Sequence, residues 1–294
     1  MNKFNRNTLL LPVLSIMEID SVNDKLREYY SIISKEIESL PQGVLLIRYR
    51  NNKPNFSVRS DGHTYGLTKK TDIVYKIARR GFLLLQKSLI EQFLNKDRAL
   101  SLGDILNKRI PETERLLKRY EDAGLDINLI IMTPNQQLWN SNRHSQKPNR
   151  REGLIYPTKD RVYMRSKSEQ AIGNLLETLH LPYRYEPRLR IGNITYYPDF
   201  IIMLPNDKLV ILEHVGRMDL AEYNQSFIER MQSYDRANIL LGRDVFLSFE
   251  HDTRDENLIM QVLIQVMTSA PMNNRHLVYA AQNAGCIIDF PNSV

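Results

Sequence analysis

The run Tyr196–Gly216, YYPDFIIMLPNDKLVILEHVG, constrains the fold more than any other segment. It reads as two apolar strands, Tyr196–Met203 and Leu209–Leu212, joined by the polar turn Pro205-Asn206-Asp207-Lys208. Strands this uniformly apolar belong in a sheet covered on both faces. Each nevertheless carries an acid: Asp199 sits inside the first and Glu213 closes the second. An unpaired buried carboxylate is expensive. Two of them on neighbouring strands are best explained by a shared cation, and hard divalent ions take carboxylate oxygens.

The segments on either side extend this pattern. Helical periodicity predicts helices over about 166–180, 221–236 and 256–268, with strands at 183–191, 194–203, 208–214 and 244–250. The resulting string, α-β-β-β-α-β with a closing helix, implies antiparallel strands followed by one parallel crossover, hence a mixed sheet. Glu169 precedes Ile172, Leu176 and Leu179 by three, seven and ten residues, which sets it on the apolar stripe of its helix. The plain alternative is a first-turn acid favoured by the helix dipole, with Ser166 or Ser168 as cap. Tyr223, Phe227, Arg230 and Tyr234 share one face of helix 221–236. A guanidinium among aromatics either needs an anionic partner or reaches out to water.

The N-terminal half has a different character. Residues 1–165 hold 29 Lys and Arg against 18 Asp and Glu, whereas 166–294 hold 11 against 16. A basic half suits a polyanion, with nucleic acid first, although a solvated charged surface explains it as well. A helix is predicted over 22–40 with Leu26, Tyr30, Ile33 and Ile37 inward, then strands at 44–50, around 56–59 and at 63–67. Helices over roughly 70–96 and 111–123 follow, the second with Pro111 in its first turn. Segment 134–161, rich in Pro, Asn, Arg and Ser, reads as a linker or loop, so the boundary is set near 150. The expected organisation is a basic α+β domain at 1–150 that binds nucleic acid and a second α/β domain at 151–294.

Other chemistries find little support. Cys286 is the only cysteine, and the six histidines show no ligand pair at metal spacing apart from Glu213-His214. Neither a GxxxxGK[ST] run nor a GxSxG turn is present. Because Pro12 interrupts the short apolar stretch near the start, no signal peptide is read. With no run of about 20 apolar residues, a cytoplasmic protein without membrane contact is expected.

The order Lys167-Ser168-Glu169, Pro198-Asp199-Phe200, Glu213-His214-Val215-Gly216 resembles the PD-(D/E)XK (restriction-endonuclease-like) nuclease superfamily. More closely, the chain resembles bacterial and phage proteins that pair a basic N-terminal half with such a core. Their pattern is matched by Leu40-Pro41-Gln42-Gly43, Glu152-Gly153-Leu154-Ile155, Arg165-Ser166-Lys167-Ser168-Glu169 and Tyr183-Arg184-Tyr185-Glu186, so the likeness runs from about 40 to 267. It implies an αβββαβ nuclease core and a Mg²⁺- or Mn²⁺-dependent phosphodiesterase acting on DNA before RNA, as an endonuclease or exonuclease. Asp199 and Glu213 would ligate the ion, a backbone carbonyl near His214 would add an oxygen, and Glu169 would bind metal or order a water. The ion would polarise the phosphoryl oxygen and acidify the attacking water.

One position departs from the superfamily. A Lys is usual two residues after the second acid, and Val215 stands there. His214, Lys167 and Arg230 are the candidate replacements. Strand alternation turns His214 away from Glu213, and Lys167 faces roughly away from Glu169. Arg230, with Tyr234 one turn on, is aimed best, and the resemblance implies a basic residue at its position. The competing expectation is a non-catalytic nucleic-acid-binding protein on a degenerate nuclease scaffold. A defence effector gated by a partner protein and a homodimer that cuts both strands are further expectations.

Overall fold

The computed structural model describes residues 19–269 apart from 68–70, 95–101, 143, 145, 149–150, 206 and 217–220. The apolar N-terminal stretch, the turn residue Asn206, His276 and Cys286 lie outside the described residues, as does the side chain of Tyr223. Two compact units divide the chain between Ile131 and Met132, earlier than the expected position near 150.

In the first unit, α1 (Ile19–Ser39) is followed by strands β1 (Val44–Arg50), β2 (Lys53–Ser60) and β3 (His63–Leu67), then α2 (Asp72–Leu94), α3 (Leu102–Asp122) and the short α4 (Asn128–Ile131). The sheet is an antiparallel meander in the order β1-β2-β3. Its two connections are two-residue turns, Asn51-Asn52 and Asp61-Gly62, all four residues at positive φ. Such turns match the right-handed twist of a hairpin. Leu26, Ile33 and Ile37 of α1 bury against Leu45, Phe56 and Val58 of the sheet and Val74, Ile77 and Phe82 of α2. Arg79 of α2, itself buried, pairs with Glu36 of α1 (Nη2 to Oε2, 2.9 Å) and donates to the Ile130 carbonyl at 2.8 Å. Pro111 lies inside α3, not in its first turn.

The second unit begins with α5 (Pro134–Ser141), within the segment expected to be a loop. Thr133 caps it: the Thr133 hydroxyl accepts from the Gln136 N–H, and the Gln136 side chain accepts from the Thr133 N–H. This is the S/T-x-x-E/Q box with Pro at the first helical position. Trp139 on α5 is buried with Leu189, Ile201, Ile211 and Tyr234, so the helix belongs to this unit's core and draws the boundary toward 131.

Next come the two-residue strands β4 (Tyr156–Pro157) and β5 (Tyr163–Met164), α6 (Lys167–Thr178), β6 (Tyr183–Tyr185), β7 (Leu189–Ile191), β8 (Ile194–Tyr196), β9 (Phe200–Met203) and β10 (Leu209–Val215). The chain closes through α7 (Ala221–Arg236), β11 (Val245–Phe249) and α8 (Glu256–Ser269). The expected strands 183–191 and 194–203 are each broken. Glu186, at φ 45°, and Pro187 end β6, and Pro198 separates β8 from β9. A proline supplies no ladder N–H. The pieces β7 and β8 pair as a separate hairpin.

The main sheet has the order β11-β10-β9-β6. Strands β6, β9 and β10 are antiparallel neighbours, and β10 runs parallel to β11 across the α7 crossover. The unit is therefore mixed α/β with a mixed sheet, as the pattern predicted. Every residue of β9 and β10 is buried, which is why β9 reads as an unbroken apolar run and β10 as one interrupted only by Glu213 and His214. Each buried Ile, Leu or Val there contributes about 1.5–3 kcal/mol.

Candidate active site

Alternation along β10 sorts its last polar residues to opposite faces. Glu213 shares a face with Leu209 and Ile211, over which Tyr234 of α7 packs. Its Oε2 accepts from Arg230 Nη1 at 2.8 Å and its Oε1 from the Tyr234 hydroxyl at 2.9 Å. The aromatic stripe on α7 thus carries Arg230 inward to an anion, and that anion is Glu213. Burial opposes the Arg230 charge, but Glu213 more than compensates and the guanidinium is held above its ordinary range. Burial and Glu213 push the Tyr234 hydroxyl well up, so it stays a donor.

Asp199 stands just before β9. The register Phe200–Leu212, Ile201–Ile211 extended by one step sets it opposite Glu213. Its Oδ2 accepts from the His214 backbone N–H at 2.7 Å. Burial first, then the carboxylates of Glu213 and Glu169, push the Asp199 carboxyl well above its usual range, although that N–H and Arg230 favour the charged form. Asp199 therefore lies within reach of two further carboxylates, near the end of the sheet where the parallel pair β10 and β11 terminates. In open α/β sheets ligands gather at that edge.

Glu169 does two things at once. It faces inward as the spacing predicted, and it also closes a capping box: its Oε2 accepts from the Ser166 N–H at 2.8 Å while its own N–H bonds Ser166 Oγ at 3.1 Å. The same oxygen accepts from the Tyr185 hydroxyl at 3.0 Å and the Arg165 N–H at 3.2 Å. Burial and then Glu169 raise the Tyr185 hydroxyl.

The His214 ring faces away from Glu213, as alternation requires. Its Nδ1 meets Ser248 Oγ at 3.1 Å and its Nε2 meets Glu250 Oε2 at 3.2 Å. Glu250 also accepts from Ser168 Oγ at 3.0 Å, which links the end of β11 to the first turn of α6. To Asp199, His214 gives its backbone N–H. Ser248 is fully buried and has no access to a substrate. Lys167 is exposed and makes no ion pair among the described residues. Val215 is buried in the strand.

The sequence placed Tyr185, Glu186 and Arg165 within motifs but assigned none of them a role. Glu186 is buried and takes Arg165 through two hydrogen bonds, 2.8 and 2.9 Å, beside the Glu169 cap. The signal was present in Tyr183-Arg184-Tyr185-Glu186, where charged residues alternate with aromatic ones. Glu250 had no comparable signal.

A divalent ion fits this donor set in kind, because a cation would favour the charged form of Asp199, which burial and then Glu213 and Glu169 disfavour. In arrangement the fit is partial. Among the described residues, no group of three or more His, Cys, Asp or Glu side chains is gathered to hold a metal. Both Glu213 oxygens are engaged. Asp199 Oδ1 and Glu169 Oε1 accept no hydrogen bond among the described residues and are the oxygens open to a cation. Comparison with known proteins finds no matching family model, curated protein or solved structure.

Proposed function

We propose that the second unit is a divalent-metal-dependent phosphodiesterase that cleaves nucleic acid, with DNA as the expected substrate. The observation that carries this reading is Asp199, whose carboxyl is pushed up by burial and then by the neighbouring Glu213 and Glu169, with Arg230 paired to Glu213 beside it. The order of Glu169 on α6, Asp199 just before β9 and Glu213 on β10 supports a PD-(D/E)XK nuclease core. When bound, Mg²⁺ or Mn²⁺ would supply Lewis-acid polarisation of a phosphoryl oxygen.

The chain's own residues divide the remaining work. Asp199 and Glu169 would hold the ion, and Glu213 completes the negative field that draws it in. The His214 N–H fixes the rotamer of Asp199, and the Tyr234 hydroxyl fixes Glu213. Arg230 commits only Nη1 to Glu213, and no described residue takes its Nε or Nη2. Those donors suit an anionic phosphate, the role that a Lys at Val215 would otherwise fill.

The Glu213–Arg230–Tyr234 cluster favours a second reading, a nucleic-acid-binding protein on a degenerate scaffold, because an ion pair there already balances one acid. Calorimetric titration of the full chain with Mn²⁺ separates the two. Under the enzyme reading wild type takes up the ion and Asp199→Ala does not. Absence of binding at millimolar Mn²⁺ contradicts that reading and supports the second.

A further inference from the structure

The meander of the first unit buries one face and leaves the other to solvent. Register places Leu45, Ile47, Phe56, Val58 and Leu67 on the packed face, because directly paired residues point the same way. The opposite face carries Val44, Leu46, Arg48 and Arg50 from β1, Lys53, Asn55, Ser57 and Arg59 from β2, and Thr64 and Gly66 from β3. Four are cations, and none is Asp or Glu. Arg48, Arg50, Lys53 and Arg59 are all exposed. None of the four forms an ion pair among the described residues, whereas Lys76 and Lys118 on the helices pair with Asp72 and Asp122. A sheet face that keeps four cations together without a counter-charge is built for a polyanion.

The spacing narrows the choice. Arg50 lies directly across from Lys53, and Arg48 is two residues back on the same face. Arg59 pairs with Val44 at the other end of the ribbon. At about 3.4 Å per residue the two cationic ends lie roughly 14–20 Å apart. The B-DNA major groove is about 12 Å wide and admits a β-ribbon. The ends of this ribbon therefore reach both flanking phosphate rows, with Ser57 and Gly66 between them. Proteins that grip single strands stack bases on aromatic rings, and this face carries no aromatic residue.

We infer that the exposed face of β1-β2-β3 binds the sugar–phosphate backbones of a DNA duplex across its major groove through Arg48, Arg50, Lys53 and Arg59. The inference shares with the nuclease reading only the class of partner.

The test measures binding of the full chain to a fluorescent 30-base-pair duplex in EDTA at several salt concentrations. The variant is Arg48→Ala/Arg50→Ala/Lys53→Ala/Arg59→Ala. A charge-matched control, Lys35→Ala/Lys76→Ala/Arg115→Ala/Lys118→Ala, removes four cations from the helices. Each phosphate contact contributes about 0.9 to the salt slope, so the sheet variant loses about 3–4. Between 50 and 200 mM salt, wild-type affinity should accordingly fall about a hundredfold more than that of the variant. The helix control keeps the wild-type slope, and Arg48→Lys/Arg50→Lys/Arg59→Lys retains binding. Equal losses in the two alanine variants overturn the inference. So does tighter binding to single strands, to anionic vesicles or to an acidic polypeptide than to the duplex. The duplex is bound in EDTA and no cleavage is read, so failure of the nuclease reading leaves this result unchanged.

Discussion

Arg230→Met isolates the interaction on which the candidate site turns. Glu213 has a side chain only 3% exposed, and its two oxygens rest on Arg230 and Tyr234. Removing one partner of a buried ion pair costs about 3–5 kcal/mol, because the other charge is left uncompensated. Arg230 is 25% exposed, so water recovers part of that loss and a cost of about 2–3 kcal/mol is expected. For a unit of this size the melting temperature falls by about 4–12 °C. Trp139, the only tryptophan, is buried in this core with the Arg184 guanidinium 4.2 Å over its ring, so its fluorescence in a urea titration reports unfolding of this unit. Glu213→Gln keeps an acceptor for Tyr234 and removes the charge. The double variant Glu213→Gln/Arg230→Met should then cost less than the sum of the singles by about 1.5–3 kcal/mol. Additive costs, or an Arg230→Met penalty below about 0.5 kcal/mol, would refute the pairing as the reason Arg230 points inward.

Two further outcomes follow from the geometry. Asp199→Asn, which keeps an acceptor for the His214 N–H, should raise the melting temperature in EDTA at pH 7–8. The Asp199 carboxyl is raised in the folded chain, so its charge costs stability above that folded value. The advantage of Asn should fade toward pH 4, where the wild-type group is protonated; an advantage independent of pH contradicts the electrostatic cause. Gly173→Ala should destabilise by about 1–3 kcal/mol in thermal melts despite the better helix propensity of Ala, because a Cβ there meets the Met164 and Thr158 side chains; a neutral or stabilising result contradicts the tight seating of α6.

Much of the second unit was legible in the chain because its signals are periodic. The helix over 221–236 and the strands of the mixed sheet follow from apolar spacing, and so do the inward positions of Glu169 and Arg230. Other features are set by tertiary choices that periodicity does not encode. Glu213 accepts from both Arg230 and Tyr234, whereas the spacing said only that all three face the core. Glu169 serves as cap and core acid together, two readings that compete on paper and share one carboxylate in space. Single residues, Glu186 with Pro187 and then Pro198, divided the long strands at 183–191 and 194–203. The helix at 134–141 was hidden by loop-like composition, although Thr133, Pro134 and Gln136 spell its start.

Incubating the full chain with supercoiled and linear DNA in Mg²⁺, Mn²⁺ or EDTA, beside Asp199→Ala, tests the central claim most directly. The account predicts cleavage by wild type with a divalent ion, none in EDTA and none by the variant. An intact substrate under every metal, or equal cutting by Asp199→Ala, would contradict it.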